Sequence, residues 1–497
     1  AGLSINSNDA NLSVLIGYQA GDAITDGSFN VAIGYNALGS NVSGDKTIAI
    51  GYQAAEDYNP TADYGNSVFI GYQAGLNTTT ARKSTVVGDL AVGLGVMTGH
   101  ENTIIGHAAG MDLVGGDSNV MIGVEAGANT TAGTNMTIIG RMAASQANIT
   151  SGAAGTVALG YESLYEITSG ANNTGLGYRT LKELTDGQDN TAKTTLIGNY
   201  AGSAINHNDA AGTTAVGYQA GASITSGEYN TALGHEALYS SQTGNGDTAI
   251  GNGALRSLSK AGNSLCTAVG FQAGYAITDG VQNTMLGHNA LVSMQSGDNN
   301  TAIGFKALED NNEDAVNRNT AVGCHAARNL TTAIKTVAIG EDAIGSGVCT
   351  GDKNVAVGQG AGYALIAGHQ NVLIGADAGV AITSGRDNVI IGTAAGGNDV
   401  NFATGDQCVI IGSHADTSAT NSSNQIAIGY DVSCIANSTV TIGIGSSTAS
   451  LGLDGSDTSW AAASSDERYK ENITTSTAGL SFVNDLRPVT YNWKKAK

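Results

Sequence analysis

Proline is almost missing from this chain of 497 residues: there are 2, against 71 glycines. That excludes collagen, which needs proline beside its glycine, and it excludes a proline-rich linker. Charge is also scarce, at 13% of residues, which rules out a charged disordered tail and is unlike an ordinary soluble globule. No apolar run approaches the ~18 residues of a membrane-spanning helix. Cysteine is sparse and unpatterned. The five (Cys266, Cys324, Cys349, Cys408, Cys434) show no CxxC spacing, and an odd number gives no disulfide framework. Free thiols, buried as small apolar side chains, are the expectation. The eight histidines form no HxH or HExxH pair, and the stretch "GLGVMTG" at 93–99 has no Lys-Ser/Thr after it, so it is no phosphate loop. The expectation is no metal and no cofactor. The chain begins at Ala1 with no initiating Met and no signal peptide, as a processed product or a fragment would.

Basic residues are outnumbered, 21 against 42, for a formal net charge of −21. A surface this acidic repels nucleic acid and anionic lipid, so no nucleic-acid partner and no membrane insertion are expected. It also keeps a large apolar object in solution.

What is abundant is one short phrase. "NTAIGFKAL" at 300–308 returns as "NTALGHEAL" at 230–238, "NTMLGHNAL" at 283–291 and "NVAIGYNAL" at 30–38. Aligned on the glycine of its [IVL]-G step, the phrase occurs 25 times, from Gly17 to Gly443. Most spacings are 17 residues, several are 18 to 21, and the last is 14. An enzyme needs its special residues once; a phrase repeated at fixed spacing points to a stacked architecture.

The positional rules identify the unit. The residue before the glycine is Ile, Val or Leu in all 25 copies, and the residue three before is Val, Ile or Thr in all 25. Two apart, they share one face of a β-strand, and β-branched side chains suit its pleat. The residue between them faces the other way and is usually apolar too (Ala32, Phe69, Met121, Leu373). A strand apolar on both faces is buried on both. One face can fill its own coil; the other needs a second cover. Ala stands three after the glycine in 21 copies, at a tight corner. A weaker run such as "AITSG" at 223–227 follows, with a glycine that suits a turn. Each rung therefore reads as strand, corner, short strand, turn.

The expected fold is all-β: a parallel β-solenoid or β-roll of about 25 rungs, roughly 120 Å long at ~4.8 Å per rung. The double-sided strand predicts a homotrimer with those strands at its centre, although the pattern alone leaves a dimer or a lone solenoid open. Asn stands four before the glycine in eleven copies, where stacked amides or turn bonding explain it. His107, His235 and His288 take a position usually held by Tyr, a shared packing or rim position. Extra residues in the long rungs (54–66, 181–193, 308–318, 397–406) are expected to bulge outward, and paired carboxylates there read as solvated loops.

The phrases "NTAIG", "NVAIG" and "TVAIG" resemble the head repeats of trimeric autotransporter adhesins, over most of 11–445. That resemblance implies a trimeric left-handed parallel β-roll. The departure is the period, since those heads use a shorter coil, near the final 14; a membrane anchor is also not recognisable here.

After Gly445 the composition changes. Both Trp (Trp460, Trp493), Pro488 and six of the 21 basic residues follow it. The stretch "SSDERYKENITTSTAGLSFVNDLRPVTYNWKK" resembles the start of the endosialidase-type intramolecular chaperone, found at the end of phage tail fibres and tailspikes. The motifs are S-D-x-R-x-K-x-N-I and then G-L-x-x-V-x-x-L-R-P-V-x-Y-x-W. The resemblance implies a segment that assembles a trimer and then cuts itself off at a Ser–Asp bond. Carried over, the cleaving residues are Ser465 and Lys470, with Asp466 first in the released part. A serine needs a base, and a lysine serves if burial lowers its pKa. Most of that family's domain is not in this sequence.

The division expected is 1–445 for the repetitive roll, 446–465 for a connector or tip, and 466–497 for the beginning of the chaperone. The function implied is a structural and adhesive phage tail fibre, located in the virion and extracellular, and not an enzyme apart from self-cleavage. Its implied partners are two further copies, a host surface receptor such as a glycan, and other virion proteins at the N-terminal end. Three alternatives stand beside it: a cell-surface trimeric adhesin head, a monomeric solenoid binding glycan or ice, and a tailspike depolymerase with a groove not evident here.

Overall fold

A computed structural model describes residues 12–453, apart from 62–64, 147, 169, 182–192, 206–209 and 311–317, together with the strand Ala461–Ala462. Its main sheet has 27 strands. All but the last two run parallel and in register: Val14 faces Val31, Val31 faces Ile48, and so on to Ile426 facing Val440. Most of these strands have three residues, and the centre one points into the coil. Ala32, Phe69, Met121 and Leu373 are fully buried, while their strand neighbours are half-buried or exposed. The all-β parallel solenoid read from the repeat is the fold.

The rest of each rung closes a small interior. Corner alanines such as Ala20, Ala37 and Ala220 are fully buried, as are Ile24, Ile224, Ile277 and Ile382 from the weaker run. That weaker run is not the short strand expected. Strand pairing there is confined, among the described residues, to Gly244–Asn245 against Gly262–Asn263 and to single bridges such as Thr130 to Ile149, with isolated backbone bonds joining other rungs. The cause is local. The N–H of Ile224 donates back to Gly221 O at 3.1 Å, and Ile382 does the same to Gly379 at 3.0 Å. These turn bonds occupy one donor of each run, while the neighbouring Thr225 and Thr383 still donate to the next rung, to Gln242 O and Ala403 O at 2.8 Å.

Nor do the long rungs only bulge outward. Tyr58, inside 54–66, is fully buried with its ring 5.0 Å from Phe69, and Phe402, inside 397–406, is also buried. Most of 181–193 and 308–318 lies outside the described residues. At the far end the chain reverses at Gly445, and Ser447–Gly452 pairs antiparallel with Thr439–Ile444. That hairpin covers the last parallel strand, which would otherwise present an open edge.

Candidate interaction face

The glycine column sets what lies outside the coil. The repeat glycines hold φ between 130° and 143° from Gly17 to Gly429, a region L-residues avoid. A Cβ at Gly217 would stand 2.4 Å from the carbonyl oxygen of Gly234, and the same approach recurs up the column. Only glycine lets rungs stack backbone to backbone here.

The residue after each glycine swings outward into a ladder. Tyr18, Tyr35, Tyr52 and Tyr72 stack with centroids 5.2 to 5.4 Å apart. His235 stacks on Tyr218 at 5.1 Å, and His288 lies between Phe271 and Phe305 at 4.9 and 5.3 Å. These histidines fill the shared packing position expected of them. His107 instead faces Asp89, 4.0 Å away.

Beside the ladder runs the outward side of the strands. Its 25 rungs offer 50 positions: 38 hold Val, Ile or Leu, 12 hold Thr, and none is charged. Ile16 is 57% exposed, Leu233 44% and Leu286 47%. At three residues of ~3.3 Å by roughly 120 Å, the stripe covers about 1,200 Å². Contiguous apolar patches above a few hundred Å² mark interaction sites.

Inside, the asparagines form the polar counterpart. All eleven are at most 1% exposed. Asn102 donates to Gly116 O at 2.8 Å and accepts from Asn119 N at 2.9 Å; Asn119 donates to Gly133 O at 2.7 Å and accepts from Met136 N at 2.9 Å. One amide thus satisfies two backbone groups of the next turn. Asp247 takes this place in one rung, accepting from Cys266 N at 2.9 Å and from the Ser264 hydroxyl. Its burial pushes the carboxyl above its ordinary value. Sequence reasoning missed a second clamp. Asp45, Asp117, Asp298 and Asp406, each six before a repeat glycine, accept the backbone N–H of the preceding rung at 2.6 to 2.9 Å. The spacing was there to find it.

Four of the five thiols (Cys266, Cys349, Cys408, Cys434) are buried, and none of the five is in a disulfide. Burial pushes Cys266 up to about 12 and Cys408 to about 11. Two solvent-open depressions, one beside Arg82, Lys83, His100 and Glu101, the other beside Asp352, Lys353 and His369, have volumes of about 180 and 230 Å³. Each is lined by a single carboxylate, whereas glycoside cleavage uses two. Among the described residues no three metal-ligating side chains cluster, and no helix is long and apolar enough to cross a membrane. Ser465, Asp466 and Lys470 lie outside the described residues, so their geometry is not part of this site.

Residues 465–497 match the family model described as the chaperone of endosialidase. No curated protein and no solved structure matches the chain. By its described part, then, the molecule is a long parallel β-solenoid with an uncharged outer stripe. Its C-terminal segment is an endosialidase-chaperone match, and the two together fit a protein of the phage tail fibre or tailspike kind, as the sequence motifs implied.

Proposed function

We propose that this chain is one subunit of a homotrimeric tail fibre of a phage virion, acting outside the cell in host attachment. The observation that carries the reading is the outer stripe. A chain with 42 acidic residues keeps every one of them off 50 outward strand positions. In a lone solenoid nothing requires that. An interface among copies does, because identical charges meet near a symmetry axis. The stripe's roughly 1,200 Å² exceeds the ~800 Å² per partner of a standard stable interface. The strands form the trimer core and the turns face solvent, where a host receptor, such as a surface glycan, is met. Other virion proteins hold the N-terminal end.

The C-terminal segment supports the trimer reading through its family match. In this proposal it assembles three chains and then leaves by cleavage between Ser465 and Asp466. Ser465 supplies the hydroxyl, and Lys470, lowered in pKa by the assembled pocket, supplies the base.

Native mass by light scattering tests the proposal. The expected value is about three times the 49.8 kDa chain, unchanged on dilution. Leu233→Glu with Leu286→Glu should reduce it to one chain while the β circular dichroism persists. A monomeric parent would refute the trimer and restore the lone solenoid binding glycan or ice.

A further inference from the structure

The outer stripe is not uniform along the rod. At the first outward position, three before the glycine, nine consecutive rungs carry threonine: Thr174, Thr195, Thr214, Thr231, Thr248, Thr267, Thr284, Thr301 and Thr320. The seven rungs after them, Val337 to Val440, carry only Val or Ile. The nine before them mix the two, with threonine at 85, 103 and 137 alone. The nine strands pair in one unbroken parallel run. The threonines therefore form one line of hydroxyls, half-buried or exposed. Among the described residues, none of the nine hydroxyls hydrogen-bonds within the chain.

A valine would fit each of these places equally well as a β-former, and it is the choice in the flanking rungs. Threonine differs from it by one donor and acceptor. Nine such groups in line, without an internal partner, face either water or another chain. On a charge-free stripe of interface size, the second is favoured.

We propose that the threonine block is a register key for the assembly of identical chains, with a second and third copy of this chain as its occupants. This rests on the trimer reading above. In a parallel trimer with every rung level, each threonine layer meets only threonines. Around a threefold axis each hydroxyl donates to the next and accepts from the last, so the ring closes with every hydroxyl satisfied. Each valine layer likewise meets only aliphatic groups. A slip of one rung breaks this in six layers, because the order of Thr and Val/Ile along the rod changes six times. In those layers hydroxyls face methyl groups and lose their partners, which is costly in a buried contact. The outer strand face is otherwise nearly the same from rung to rung, and a flat repetitive strand face is where register is weakest.

The test is subunit sorting. A full-length variant with all nine threonines changed to valine is co-folded with a tagged parent chain, and native mass spectrometry counts the trimers by tag. Valine matches threonine in shape, so the coil should form. Sorting into parent-only and variant-only trimers, with mixed trimers at least about tenfold below their binomial share, supports the key. A binomial mixture overturns it while leaving the trimer intact. Parent chains that stay monomeric overturn the reading beneath it. Should the ninefold variant not fold, Thr231→Val, Thr248→Val and Thr267→Val together give the same test with a smaller bias.

Discussion

Asn119→Ala tests how the interior is held together. Asn119 makes two bonds that nothing else in the described chain supplies: its amide donates to Gly133 O, and its oxygen accepts from Met136 N. Alanine leaves both backbone groups in a closed interior. An orphaned buried group costs ~1–3 kcal/mol, so the pair should cost about 2–6 kcal/mol. A global melting temperature is the wrong readout, since stacked rungs lose stability locally and need not melt as one. Hydrogen exchange at the Met136 amide is the right one. By the loss at its lower bound, exchange should rise about 30-fold, and by more if both groups are fully orphaned. The effect should fade within a rung or two on either side. A Met136 amide as protected as in the parent would refute the clamp and leave the asparagines with only turn bonding to explain them.

Two further substitutions probe the coil. Asp247→Asn should stabilise the chain at neutral pH. Burial raises the Asp247 carboxyl, so the folded state favours the acid form, a stability present below the ordinary value of 3.8 and lost as pH rises through the raised one. Asparagine lacks that dependence, so its advantage, read as slower hydrogen exchange at the Cys266 amide than in the parent at the same pH, should shrink on acidification; an advantage that grows on acidification would contradict the assignment. Gly287→Ala should cost at least about 3 kcal/mol, because its φ is 143° and a Cβ would sit 2.3 Å from Gly304 O. Limited proteolysis should open the chain near 287, whereas Gly115→Ala, where a Cβ meets nothing within 4 Å, should leave the pattern unchanged.

The strand was legible because its rule is strict: two β-branched or aliphatic positions, two apart, before one glycine. Which side turned inward was not. Val31, Ala32 and Ile33 are all apolar, so hydrophobicity alone cannot rank them. Burial in the structure decides it: the centre residue turns in whether small, as Ala32 and Ala49, or large, as Phe69, Met121 and Ile390. The second strand misled for a different reason. "AITSG" has β-branched residues in the right place, but a turn bond such as Ile224 to Gly221 competes for the donor, and that competition is invisible in composition. The chaperone segment was readable because its signature spans from Ser465 to Trp493 in fixed order. The geometry of Ser465 and Lys470 was not, since spacing names residues without placing them.

The same pattern explains why one glycine is kept at every rung while the ladder beside it varies. The Tyr position accepts His, Phe, Asn or Cys because it projects outward and each ring leans only on its neighbours. The glycine accepts nothing, because its Cβ would meet main chain, which cannot give way. Between these limits stands the asparagine. It can become Thr, Ser or Asp, as at Thr194, Ser67 and Asp247: Ser67 and Asp247 still accept the N–H of the next rung, and beyond Thr194 the N–H of Thr213 turns back to Ala210 O. Each rung is thus completed by the one after it, and none is complete alone. A defect in this rod should accordingly act over its neighbours and stop there, which separates a solenoid from a globule in which one lost clamp lowers the whole.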